Sequence, residues 1–303
     1  MINYSIIIPH KNTPDLLQRC LDSIPIRDDI QVIVIDDNSD VDKVDFEFFP
    51  RWKGNHYEYY LTKEGKGAGY ARNVGLQHAV GKWLVFADAD DFFTDDLHGL
   101  MDETIGAEED LVYFDYKNVL SEDISKEVEA RTWYRACFFD YLKGKEGSEE
   151  KLRTSVVVPW CKLIKRDLVE SHSVRFEEVK WGNDVFFSTL IAIKARKISF
   201  NKIVAYVLTE RKDSLASDFI KSMKELKIRL MEAVKSDELF KANGFHKTDL
   251  SIVLLNYALD KFGFWWLVRF EVFSFSNCRV SKATLSFLKS IVKKKMTKHL
   301  KIQ

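Results

Sequence analysis

The most chemically loaded pattern in this 303-residue chain lies in Trp83 to Phe93, WLVFADADDFF, where an apolar run ends in Asp88, Asp90 and Asp91. Carboxylates this close repel one another, and each loses hydration beside a packed core. A divalent cation, Mn²⁺ or Mg²⁺, removes both costs because hard cations take oxygen ligands. A strand that exits into a solvated acidic turn is the plainer reading of a lone D-x-D. Two other acids pose the same question. Asp37, in Asp36-Asp37-Asn38-Ser39, follows a second apolar run; it is either a turn or cap residue, or a ligand contact at a strand's carboxyl end. Asp184, in WGND ahead of VFFSTLIAIKA, reads by itself as a helix cap, its charge steadied by the helix's positive end. Gly65, Gly67 and Gly69 in KEGKGAGYARN can turn backbone N–H groups toward an anion near Arg72, or simply form a turn. Their spacing matches neither a Walker loop nor a dinucleotide fingerprint. Trp160 offers a ring to a sugar face or to the core.

These residues need elements to hold them. Tyr4 to Ile8, Val32 to Ile35 and Trp83 to Ala87 are continuous apolar runs, as strands buried on both faces require. Pro9 ends the first run; Thr13-Pro14 opens a helix with Leu16, Leu17, Cys20, Leu21 and Ile24 on one face. Tyr57 to Leu61 is a weaker strand, followed by the glycine loop and a helix to about Ala79. The alternation predicts an α/β chain with a mostly parallel sheet and right-handed crossovers. Pro9, Asp37 and Asp88 to Asp91 then gather along one sheet edge. Further on, the patterns predict a helix over Leu97 to Ile105, a strand over Asp110 to Tyr116, an aromatic helix over Arg131 to Leu142, and a charged surface loop over Lys143 to Lys151.

SIIIPHKN, VIVIDDNS, GAGYARNVGLQHAVGKWLVFADADD, VPWCKLIKRDL and WGNDVFF, in that order, resemble the family 2 glycosyltransferases of the GT-A fold over roughly residues 3 to 210. The resemblance implies a Rossmann-like sheet flanked by helices, a nucleotide-sugar donor, a divalent cation, and transfer to an acceptor hydroxyl with inversion. It assigns Pro9 and Asp37 to the base (uracil), Asp88 to the ribose and diphosphate side, and Asp90 to the metal, with Asp91 a further ligand or a cap. It makes Asp184 the general base. Gly67 and Arg72 join the donor side, and Trp160 an acceptor or sugar contact. Two positions depart from the pattern: Lys11 stands where an aromatic is usual, and Asn183 where a Glu precedes the base.

Composition narrows the rest. Lys+Arg and Asp+Glu are both 46, so no global charge draws the chain to nucleic acid. Cys20, Cys137, Cys161 and Cys278 lack C-x-x-C spacing, which argues against zinc and disulfides and fits a reducing cytoplasm. The N-terminus lacks a basic n-region, and no 18-residue uncharged apolar run is present. The expected division is a catalytic domain over 1–210 and a helical region over 211–303. The latter is aromatic over Thr248 to Phe275, then basic, with Arg279, Lys282, Lys289, Lys293, Lys294, Lys295, Lys298 and Lys301 and no acid after Glu271. It is either packed on protein or laid on an anionic membrane surface at the inner face of the cell, beside a lipid-linked saccharide acceptor. Two rival readings are a nucleotidyltransferase that makes nucleotide sugars and a non-catalytic membrane-surface module.

Overall fold

The computed structural model describes residues 1–45, 51–54, 56–129, 131–211, 220 and 222–263. The chain divides into two compact units, Met1–Phe219 and Ile220–Gln303, so the first unit runs past the expected end at residue 210.

Unit one is built on one sheet. Strands β1 (Tyr4–His10) and β2 (Ile30–Asp36) flank helix α1 (Pro14–Asp22); β3 (His56–Leu61), α2 (Ala68–His78) and β4 (Trp83–Phe86) follow. Every residue of β1, β2 and β4 is buried, which is the cost-free state for such apolar runs when helices cover both faces. Then come β5 (Phe92–Phe93), α3 (Leu97–Thr104), β6 (Leu111–Leu120), α4 (Thr132–Leu142), α5 (Ser148–Ser155), β7 (Lys162–Lys165), α6 (Arg166–Ser171), α7 (Val185–Lys194) and β8 (Ile198–Glu210). The strand order is β3-β2-β1-β4-β7-β6-β8-β5. The first four strands are parallel. The other half is mixed: β7 runs antiparallel to β4 and β6, β5 antiparallel to β8, and β6 parallel to β8.

Parallel pairing sends the carboxyl ends of β1, β2 and β4 to the same edge, with His10 opposite Asp36 and Ile7 opposite Phe86. Pro9 does not end β1, contrary to expectation. It pairs with Ile35 on one side, while the β4 ladder has already stopped at Ile7. The missing N–H therefore interrupts no ladder on the β4 side. The charged stretch 143–151 is also only partly a loop. Its second half starts α5, where Leu152 is buried and Arg153 pairs with Glu149 at 2.8 Å. Arg153 also donates to the Ala192 and Ala195 carbonyls, at 2.6 and 2.8 Å, at the end of α7.

The described part of unit two is a helix pair, α8 (Met223–Ala242) and α9 (Leu250–Phe262). Leu226, Leu230, Ala233 and Val234 pack with Leu254, Leu255 and Ala258. Buried Asp237 on α8 caps α9 by accepting from the backbone N–H groups of Leu250 and Ser251, at 3.1 and 2.9 Å. No described helix is long and apolar enough to cross a membrane. Most of the aromatic stretch after Gly263 and the basic tail, on which the membrane-surface reading rests, lie outside the described residues.

Candidate active site

At the end of β2 the two neighbouring acids part company. Asp36 turns inward: its carboxylate takes the His10 Nδ1–H at 2.7 Å, the Ser39 N–H at 2.7 Å and the Ser39 hydroxyl at 2.6 Å. The Thr13 N–H donates to His10 Nε2 at 3.1 Å, which assigns the donating N–H toward Asp36 to Nδ1. Burial works against ionisation of Asp36, but the His10 and Ser39 bonds outweigh it and hold its pKa down. Asp37 is different. Its Oδ2 accepts the Gly67 N–H at 2.9 Å and lies 3.6 Å from Lys11 Nζ. Its Oδ1 is buried and has no hydrogen-bond partner among the described residues. Burial raises the Asp37 pKa, against the pull of Gly67 and Lys11. The N–H of Gly67 is thus spent on Asp37; the φ of +97° at this residue, just ahead of α2, is one that only glycine adopts without strain.

The β4 exit is held from three sides. Arg72 on α2 donates through Nη2 to Asp88 Oδ1 at 2.5 Å and through Nη1 to Asn183 Oδ1 at 2.8 Å. Arg211, just past β8, donates to Asp90 Oδ2 at 2.7 Å, and Arg19 on α1 donates to the Asp90 carbonyl at 2.6 Å. Burial and the neighbouring Asp88 push the Asp90 pKa up, with Arg211 opposing. Tyr206 on β8 is the hub beneath. Its hydroxyl accepts the Asp88 N–H at 3.0 Å and donates to Asp91 Oδ2 at 2.7 Å.

Asp91 is placed as a strut, with both carboxylate oxygens accepting hydrogen bonds from the protein. It is 2% exposed, and its second oxygen accepts the Thr209 N–H at 2.7 Å. Burial, then the charges of Asp90 and Asp88, push its pKa well up. Trp160 is likewise enclosed: it is 2% exposed and stacks on Tyr206, with centroids 5.4 Å apart and planes 12° apart. It backs the residue that braces the acids, and its ring is covered by protein.

Asp184 sits at the N-cap position of α7, half-buried, yet makes no side-chain capping bond to that helix. Its charge reaches the buried Tyr134 phenol and Lys162 ammonium. Asn183, immediately before it, is the far end of the Arg72 bridge. Asp37, Asp88 and the Asp184 segment are thereby joined through α2, with Gly67 at its start and Arg72 one turn in.

Among the described residues no group of three or more His, Cys, Asp or Glu side chains is arranged to hold a metal ion. The donor set that remains, Asp88 and Asp90, suits a cation carried by one or two carboxylates plus phosphate oxygens and water, not an all-protein cage. Sequence reasoning missed Tyr206, Arg211, Arg19 and Lys162. A tyrosine or arginine inside a long strand or amphipathic helix carries no local mark of what it faces.

The family model described as Glycosyl transferase family 2 matches residues 5–173. Among curated proteins, EpsH of Bacillus subtilis (strain 168) is 28% identical over 236 residues, covering 75% of this chain and 67% of EpsH. The poly(ribitol-phosphate) beta-glucosyltransferase of Bacillus spizizenii is 25% identical over 274 residues, covering 84% of this chain but only 40% of that protein. Among solved structures, S. aureus TarS 1–349 in complex with UDP-GlcNAc superposes with a TM-score of 0.59 at 18% identity, covering 86% of this chain and 73% of that one. The mannosyltransferase PcManGT from Pyrobaculum calidifontis, in complex with GDP-Man and Mn2+, gives 0.57 at 17% identity, covering 96% and 79%. At such identities the two structures speak for the fold, which is GT-A. The family itself rests on the match spanning β1 to α6, the part of the chain that brings Asp37, Arg72 and the β4 acids to one edge: this chain belongs to glycosyl transferase family 2.

Proposed function

We infer that the chain transfers a sugar from a uridine diphosphate donor to a hydroxyl of a surface polysaccharide, with inversion at the anomeric carbon. The observation that carries the donor side is the buried Asp37 Oδ1, an acceptor without a partner among the described residues. Such an atom is costly unless a ligand N–H meets it, and the imide N–H of uracil is of the right kind. TarS, solved with UDP-GlcNAc, supports a uridine donor, and PcManGT, solved with GDP-Man and Mn2+, supports a nucleotide-sugar donor and a divalent cation. The named glucosyltransferase acts on poly(ribitol-phosphate). Because this chain spans 40% of that relative, its acceptor is inferred from chemistry and likeness together.

Asp88 and Asp90 would hold a divalent cation, which when bound supplies Lewis acidity toward the diphosphate. Asp88 stands on the ribose and diphosphate side, and Pro9 lies beside the base. Arg72, 5% exposed, holds Asp88 in place. Asp184 takes the proton of the acceptor hydroxyl as that oxygen attacks the anomeric carbon. A single displacement of this kind inverts the centre.

The test is a turnover assay with UDP- and GDP-sugars and Mn²⁺, reading the released nucleoside diphosphate and the anomer of the product by NMR. Release of UDP with inversion is expected. Pyrophosphate released from UTP and a sugar 1-phosphate would identify a nucleotidyltransferase instead. No turnover of any nucleotide sugar would leave a binding module.

A further inference from the structure

The loop 174–184 brings Asp184 to the site, and it rides on α2. Asn73 clasps Phe176 through both backbone groups, donating to its carbonyl at 2.9 Å and accepting its N–H at 2.8 Å. At Gly69 a Cβ would lie 2.1 Å from the Glu177 carbonyl oxygen and 3.0 Å from Asn183 Cβ, so helix and loop touch there. The Glu177 N–H closes the loop on the Asn183 carbonyl at 3.1 Å. Among these attachments Arg72 alone also reaches the β4 acids, with Asp88 at 2.5 Å and Asn183 at 2.8 Å. One of its two hydrogen-bond partners is an anion and the other a neutral amide, and its guanidinium also lies 5.3 Å from the Phe176 ring centre. The Asp88 bond is charge-assisted on both sides and so fixes the guanidinium more firmly. The orientation of Arg72, and with it the point to which Asn183 is tied, is set by Asp88.

We propose that Asn183 is a positioning residue: the strut Asp88–Arg72–Asn183 sets the placement of the Asp184 segment from the donor-side carboxylate. This rests on the reading of Asp88 as donor-side and Asp184 as base. It goes beyond that reading by giving the amide at 183, where an acid is usual in the family, a defined task. The base, whose carbonyl accepts the Ser188 N–H of α7 at 2.9 Å, is thereby also held in register with the donor's carboxylate.

The strut is tested first without any nucleotide. Amide hydrogen exchange is compared in the full chain for wild type, Asp88→Ala, Asn183→Leu, Asn183→Asp and the double variant Asp88→Ala/Asn183→Leu. Exchange across 174–184 should quicken about tenfold in Asp88→Ala and in Asn183→Leu. The double variant should add nothing further, since both changes break the same strut. Asn183→Asp keeps an oxygen for Arg72 and should restore slow exchange. Amides of β1 and β2 serve as the control for intact folding. With UDP-GlcNAc and GDP-mannose as probes, Asn183→Leu should lower kcat at least tenfold with the donor KM unchanged, and Asn183→Asp should recover it. Unchanged exchange across 174–184 in Asp88→Ala, or an additive double variant, overturns the strut. The donor reading fails separately, if the wild type turns over neither probe while the exchange pattern holds.

Discussion

Lys162 gives the fold a quantity it must show in solution. The side chain is wholly buried, and Nζ donates to the Val156 and Val158 carbonyls, each at 2.6 Å. The Tyr113 ring centre is 5.3 Å away. Burial pushes its pKa down from 10.5 to about 8, with the charges of Cys161 and Asp184 opposing. The gap between 10.5 and about 8 corresponds to about 3 kcal/mol, at ~1.4 kcal/mol per pH unit. The sign follows from proton counting. Below pH 8 both folded and unfolded chains hold the proton, and the buried ammonium is a constant penalty. Between about 8 and 10.5 the unfolded chain keeps the proton while the folded chain releases it, so native stability rises with pH there. The neutral amine still has two N–H groups for its two carbonyls. The perturbation is Lys162→Met, and the assay is urea unfolding of both proteins from pH 7 to 10.5. Buried tyrosines titrate in both and cancel. The stability advantage of wild type over Lys162→Met should grow by about 3 kcal/mol across the window. A difference that stays flat with pH would refute the reasoning, because it would mean the ammonium is not paying for its burial.

Three other expectations follow from the site. Asp184→Asn should lower turnover by roughly 10²- to 10⁴-fold while donor affinity stays near wild type; equal loss of both in a binding and turnover comparison argues against the base. Trp160→Ala should cost ~3–5 kcal/mol in chemical denaturation, as removal of a buried tryptophan does, and leave the acceptor KM alone; a raised acceptor KM at intact stability would return the ring to the sugar. Gly69→Ala drives a methyl toward the Glu177 carbonyl, 2.1 Å from where its Cβ would sit. It should cost ~1–3 kcal/mol and lower kcat through the displaced 174–184 loop, and a neutral result in melting and turnover would contradict the close approach.

The central strands were legible because β1, β2 and β4 are buried on both faces and so are mostly apolar; the exceptions inside them, Ser5 and Gln31, hydrogen-bond each other at 2.6 Å. Strand β8 was not: ISFNKIVAYVLTE is half exposed along its first part and carries Asn201 and Lys202. Its shape is set by pairing with β6, with register shifts around Asp115, and no local pattern encodes that. Helix α5 hid for a similar reason, since its charged residues read as loop until Arg153 is seen reaching the end of α7. At the site, residue type announced the acids, but direction did not show. Asp36 and Asp37, or Asp90 and Asp91, are adjacent, and only the surroundings decide which turns to Ser39 or Tyr206 and which to the edge. Trp160 had the right chemistry for a sugar and the wrong side of the sheet edge, where Tyr206 fills its face.

The account stands on nucleotide binding at the Asp37 and Asp90 edge. The most direct measurement is calorimetric titration of UDP into wild type, Asp37→Ala and Asp90→Ala, with and without Mn²⁺. The account predicts that wild type binds UDP more tightly with Mn²⁺, that Asp37→Ala binds at least tenfold more weakly in either condition, and that Asp90→Ala loses only the Mn²⁺-dependent gain. UDP affinity indifferent to all three changes would contradict it.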